Sequence, residues 1–276
     1  MSELIRFADG GYAFLRGGFP YSQGVAALQG FAIERVRFSQ PLPVVQGFAA
    51  IGAHLSALGR PLTALCAAEL RSPAPLSMSG FRAFNEGYVE VLKRWTLFRD
   101  GLNPVARSNV APQFAPPSEP CFYAFCYTFP GKNAVTNFVV AGSGEWPEGG
   151  KFPEDIVARG DLSPAGLKEK ARFVLGKMED RLAGLGASWR EATAAQVYTV
   201  HDIHPLLSGE VLPRTGNGAG LTWHYCRPPL EELEFEMDAF DGNAADVHFE
   251  FEFLDRRPAV VPGKPRSVAG AGENDP

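Results

Sequence analysis

One stretch of the chain repeats itself without a gap. Leu55-Ser56-Ala57-Leu58-Gly59 recurs as Leu182-Ala183-Gly184-Leu185-Gly186, a shift of 127 residues, from 55 to 182. The same shift lays Ala67-Ala68 on Ala194-Ala195, Leu62 on Trp189, and Phe48 and Ile51 on Leu175 and Met178. A helix, its glycine stop and the strand after it therefore recur in register. A chain built this way has to fold as two copies of one α+β unit. Its 276 residues suit two domains of roughly 100–150 residues each. The expected division is 1–128 and 129–254, each half a mixed sheet with helices on one face, followed by a disordered tail over 255–276. That tail is rich in Pro, Gly and charge and has too little apolar surface to repay ordering.

The local signals agree with the repeat. Val44, Phe48, Ile51, Leu55 and Leu58 recur at helical spacing, and Gly59 ends the helix. Ser79 is placed to cap a second helix with the stripe Phe81, Phe84, Tyr88, Val91 and Trp95. Ser163 followed by Pro164 starts a third, with Leu167, Ala171, Val174, Met178, Leu182 and Leu185 on one face. Strands are expected before residue 43 and over 65–71, 121–128, 136–141, 192–200, 221–226 and 233–237.

Composition narrows the function. A net charge of −5 argues against a nucleic-acid partner, because phosphate binding needs a basic face. There is no apolar run of roughly 18 residues to span a membrane and no secretory pattern at the start. Cys66, Cys121, Cys126 and Cys226 form no CxxC pair and sit in apolar settings, which predicts buried free thiols and a cytoplasmic location. No phosphate loop or dinucleotide fingerprint is present, and Gly142-Ser143-Gly144 lacks the flanking pattern of a serine-hydrolase elbow. His201 and His204 lack the helical setting of a metal pair and are expected to cap a loop instead.

The stretch 103–110, Asn-Pro-Val-Ala-Arg-Ser-Asn-Val, sets Arg107 in apolar company between Pro104 and Pro112. A guanidinium presented this way suits a carboxylate, which it can grip through both oxygens.

Taken together, these motifs resemble the reactive-intermediate deaminase (Rid, or YjgF-like) family of small α+β domains. Pro20-Tyr21-Ser22-Gln23-Gly24-Val25 is similar to its early Pro-Tyr-x-Gln-x-Val, and Asn85-Glu86-Gly87-Tyr88 to its Asn-x-x-Tyr. Pro104-Val105-Ala106-Arg107-Ser108 resembles Pro-Ala-Arg-Ser with one residue inserted. Gly142-Ser143-Gly144-Glu145 resembles the strand-end Ser-Gly-Gln, and Leu233-Glu234-Phe235-Glu236 the final Ile-Glu-Ile-Glu. The tandem form resembles the 2-aminomuconate and 2-amino-5-chloromuconate deaminases. The resemblance implies hydrolysis of an enamine or imine acid without cofactor or metal. It also implies a trimer-like homo-oligomer, with Arg107 on the substrate carboxylate and Tyr21, Asn85 and Glu234 around it.

The halves depart from the family in opposite ways. The first has Arg107, Tyr21 and Asn85 but no glutamate on its last strand; the second has Glu234 but no arginine near 220–222. One composite site fed by both halves is the expectation, against two vestigial ones. Glu234 and Glu145 are the candidate acids, Arg71 the candidate cation for a second carboxylate, and Ser143-Gly144 candidate backbone donors to developing charge. A chorismate-type hydrolase and a non-catalytic carboxylate-binding module remain the competing readings.

Overall fold

The computed structural model describes residues 2–131, 137–216, 220–241 and 247–249. The expected disordered tail, 255–276, lies outside the described residues. In chain order the elements are β1 (Leu4–Phe7), β2 (Tyr12–Leu15), β3 (Gly24–Ala27), β4 (Phe31–Pro43), α1 (Val44–Ala57), β5 (Leu65–Arg71), α2 (Met78–Arg94), β6 (Ala106–Pro112) and β7 (Cys121–Pro130). They continue as β8 (Phe138–Gly144), α3 (Pro164–Gly184), β9 (Ala194–Tyr198), β10 (Gly220–His224), β11 (Cys226–Arg227), β12 (Glu236–Phe240) and β13 (Val247–Phe249), with short helical turns at 204–215 between β9 and β10.

The helices form where the apolar spacing puts them. Phe48, Ile51 and Leu55 are buried along α1, and Gly59 turns the chain at φ 64°. Ser163 caps α3 by accepting from the Gly166 N–H, Pro164 occupies the first turn, and Gly186 repeats the turn at φ 76°. The second helix differs from its expected form. Ser77, not Ser79, is its cap, and its buried face is Asn85, Tyr88, Val89 and Leu92. That rotation leaves Phe81 and Phe84 half-buried at the rim, beside Arg107.

The duplication shows in the pairing. In the first copy the strand order is β4-β7-β5-β6, and in the second β8-β12-β9-β10. In both, the strand after the first helix lies parallel to one neighbour and antiparallel to the other: β5 with β6 and β7, β9 with β10 and β12. The tandem α+β fold is therefore the one the chain adopts.

The sheets do not divide at residue 128, however. Strands β1 to β3, from the first half, extend the second sheet through β3 on β8, while β13, from the second half, extends the first through β4. Helices α1 and α2 cover the outer face of one sheet and α3 that of the other. The inner faces meet in a shared core containing Phe14, Val25, Ile33, Ala67, Cys126 and Ala141. Each copy thus supplies strands that the other needs.

This interlock predicts one unfolding transition. Leu55 and Leu182 stand at equivalent places, 0% and 1% exposed. Replacing either with Ala is expected to remove about 2–5 kcal/mol from a single cooperative urea transition. Two separated transitions would show that the halves fold independently.

Candidate functional site

Arg107 reaches its place through strand register. On β6 it lies beside Ala68 of β5. In the second copy Ala195, the equivalent of Ala68, lies beside Leu221. Leucine therefore stands where a second arginine would be, and the cation exists in one copy alone.

The guanidinium is buried, 2% exposed, among aromatic rings. Its central carbon lies 4.8 Å from the Tyr88 ring centre and 5.0 Å from that of Tyr21, with Phe84 and Phe81 at 5.7 and 5.9 Å. Nη2 donates to Asn85 Oδ1 at 2.7 Å, while Nε and Nη1 have no protein partner. Burial pushes its pKa down, and the neighbouring Tyr88 and Tyr21 partly oppose that. A buried cation with free donors and no carboxylate bonded to it is a prepared anion site.

The same cavity is lined by Tyr21, Ser143, Gly144, Arg181 and Glu236. Glu236 opens β12, paired with Gly144 on one side and Tyr198 on the other, and is 4% exposed. Burial first, then the Asp238 and Glu145 carboxylates, push its pKa well above the ordinary value of 4.5, against the pull of Arg181 and Arg107. Gly142 makes room for it: a Cβ there would fall 2.2 Å from Glu236 Oε1 and 3.1 Å from Ser108 Cβ on β6.

Of the residues expected from sequence, Arg107, Tyr21, Ser143 and Gly144 line this cavity, and Asn85 meets it through Arg107. Three others lie outside its lining. Glu234 sits on the turn before β12, its carboxylate taken by His201 Nε2 at 2.8 Å and Arg227 Nη1 at 3.1 Å. Glu145 is wholly buried. Its carboxylate accepts from the N–H groups of Glu234 at 2.7 Å and Phe235 at 3.1 Å, with Lys170 Nζ 3.2 Å away. Arg71 faces a different cavity, stacked 4.1 Å from the Tyr123 ring centre. The strand expected over 233–237 begins only at Glu236, after Glu232 takes φ 69°. Among the described residues, no three His, Cys, Asp or Glu side chains gather as a metal site requires, and no helix is long and apolar enough to cross a membrane.

Arg181 and Glu148, also in the lining, went unnoticed in the sequence. The signal was there for the first: Arg181 falls three residues after Met178 on the apolar stripe of α3, where a charge has no business unless it is used.

A buried arginine with open donors thus shares one cavity with a buried carboxyl group whose pKa is pushed well above the ordinary value. Residues 4–241 match the family described as CnbZ, 2-aminomuconate deaminase CnbZ. The chain is 46% identical over 242 residues to the 2-amino-5-chloromuconate deaminase of Comamonas testosteroni, covering 86% of this chain and 96% of that one. Among solved structures it is similar to a chorismatase (TM-score 0.48, 12% identity, 87% of this chain and 85% of that one). It is also similar to the E. coli YjgF gene product (TM-score 0.30, 12% identity, 40% and 84%). The chain belongs to the CnbZ 2-aminomuconate deaminase family, whose name denotes enzymes acting on C–N bonds.

The raised pKa of Glu236 carries a stability signature. Its folded-state pKa lies above the unfolded one, so its contribution is full below about pH 4.5 and is lost as pH rises toward the folded value. Glu236→Gln is isosteric and does not titrate. Its melting temperature relative to wild type is expected to climb between pH 4.5 and pH 8. An unchanging difference would show that the carboxyl is not held protonated.

Proposed function

We propose that this protein is a hydrolytic deaminase of 2-aminomuconate or a chlorinated analogue, working without a cofactor, with Arg107 as the carboxylate anchor and Glu236 as the proton carrier. The observation that carries the reading is the cavity that a buried guanidinium from one copy shares with a buried carboxyl from the other, whose pKa burial pushes up.

A 2-aminomuconate is a diacid with an enamine at carbon 2. Arg107 holds the adjacent carboxylate through its open donors, in a pocket whose rings exclude water. Glu236 gives its proton to the conjugated carbon, and the enamine becomes an iminium. The resulting carboxylate accepts a proton from water as oxygen adds to carbon 2, forming a carbinolamine. Glu236 then protonates the nitrogen, ammonia leaves with the C–N electron pair, and the remaining hydroxyl proton returns to Glu236. The sum is enamine plus water giving 2-oxo acid plus ammonia, with the acid restored.

Glu236 replaces Glu234 in this scheme because it lies in the cavity, whereas the Glu234 carboxylate is committed to His201 and Arg227. Ammonia release is the test. Arg107→Lys is expected to weaken kcat/KM about ten- to a hundred-fold, the loss of one charge-assisted contact of roughly 1.5–3 kcal/mol. Glu236→Gln should lower kcat with little change in KM, and Glu234→Gln should keep turnover. Wild-type kcat should fall on the alkaline side as Glu236 ionises. Full activity in Glu236→Gln would remove it from the mechanism.

Four buried free cysteines support a reducing, cytoplasmic setting for this reaction. We also expect a trimer-like homo-oligomer, after the domains this chain resembles in sequence. Light scattering that finds a stable monomer at micromolar concentration would refute that assembly.

A further inference from the structure

The mechanism above leaves one buried cation of the cavity unused. Arg181 projects from the apolar stripe of α3 and is 4% exposed. Its Nη1 donates to the carbonyl oxygens of Ala141 at 2.8 Å and Gly142 at 3.1 Å, which fixes the guanidinium against the end of β8. Its Nη2 donates to Glu148 Oε1 at 2.7 Å. Glu148, on the loop after β8, has a side chain 52% exposed, and its other oxygen accepts from Gln23 Nε2 at 2.5 Å.

Arg181 and Glu148 line the same cavity as Arg107 and Glu236. Tyr21 lines it as well, its ring centre 5.0 Å from the Arg107 guanidinium carbon. Of the cavity's two guanidiniums, Arg181 is bonded to a carboxylate, that of Glu148, and Arg107 to the neutral amide of Asn85. With Glu148 in place the cavity suits one incoming carboxylate. With Glu148 swung out to solvent, it suits two. That movement is open to Glu148, whose side chain is 52% exposed. The fixed partner is different: Arg181 is held by two backbone carbonyls and needs an anion at all times.

We propose that Arg181 binds the second carboxylate of the substrate and that Glu148 is the internal anion this carboxylate displaces, so the site selects dicarboxylic over monocarboxylic conjugated acids. Gln23 steadies Glu148 while the site is free of substrate. The inference rests on the functional reading above, yet it is readable without turnover. Selection follows from charge matching: a monoacid leaves Glu148 on Arg181, and a diacid of muconate length replaces it.

The experiment is calorimetric binding of two unreactive probes, muconate and 2,4-hexadienoate, which share a six-carbon diene and differ by one carboxylate. Wild-type protein is expected to bind muconate at least tenfold more tightly. Glu148→Gln, which removes the competing charge, should tighten muconate binding about three- to tenfold and leave hexadienoate unchanged. Arg181→Gln should abolish the preference for the diacid. Because that variant also gives up the bonds to Ala141 and Gly142, the Glu148 variant decides the matter if it fails to fold. Equal affinity of wild type for the two probes would overturn the inference, as would a Glu148→Gln change that moves both probes alike. Failure to release ammonia from any enamine acid, with the diacid preference intact, would count against the reaction and leave this assignment standing.

Discussion

The arrangement of the site turns on a guanidinium buried without a carboxylate bonded to it. Arg107 lies among four aromatic rings, bonded through one nitrogen to a neutral amide. Such a group costs stability in the free protein unless rigid surroundings enforce it. Those surroundings are the parallel pairing of β5 and β6, which fixes the backbone, and α2, which supplies Asn85, Tyr88 and two phenylalanines from one face. The one-position rotation of α2 away from its expected buried stripe acquires its meaning here. Tyr88 and Asn85 turn inward, and Phe81 and Phe84 are left to close the ring system around the cation.

Duplication explains how a single site can draw on both halves. The two copies share strand order and pairing sense, so each offers the same backbone positions, but not the same side chains. Leu221 occupies the arginine position of the second copy, and that copy alone brings a glutamate to the cavity at the start of its closing strand. Interlock keeps the pair from drifting. Strands β1 to β3 hydrogen-bond into the sheet that carries Glu236, and the chain between β3 and β4 returns to the sheet that carries Arg107. Tyr21, just before β3, reaches the cavity from this crossing segment.

What the sequence revealed follows the range of the forces involved. Helices α1 and α3, their glycine stops and the Ser163 cap depend on neighbours within a few residues, and these were legible, as was Arg107 by its setting. The acid was not. Glu234 and Glu236 are two residues apart and look equivalent on a strand of alternating pattern. What separates them is Glu145, whose carboxylate takes the N–H groups of residues 234 and 235 and so delays the strand to 236. That contact spans about ninety positions of sequence, and no local pattern announces it. Arg71 lies apart for a related reason: it ends β5, and its ring contacts with Tyr123 and Tyr198 leave it lining a different cavity.

The strand that carries Glu236 also carries the group that helps keep its proton in place. Asp238, two residues on, is buried as well, and its pKa is pushed up to about 6 by burial and by the Glu69 carboxylate. It remains the easier of the two to ionise, because Tyr198 Oη and Gln196 Nε2 donate to it at 3.0 and 2.9 Å. The negative charge therefore falls more readily on Asp238 than on Glu236. Once there it opposes ionisation of Glu236, and after burial it is the largest influence raising that pKa. A hydrogen-bonded carboxylate behind an unbonded one thus divides the labour between two acids that differ little in sequence. One takes the charge more readily, and the other is left with the higher pKa in the lining of the cavity that Arg107 shares.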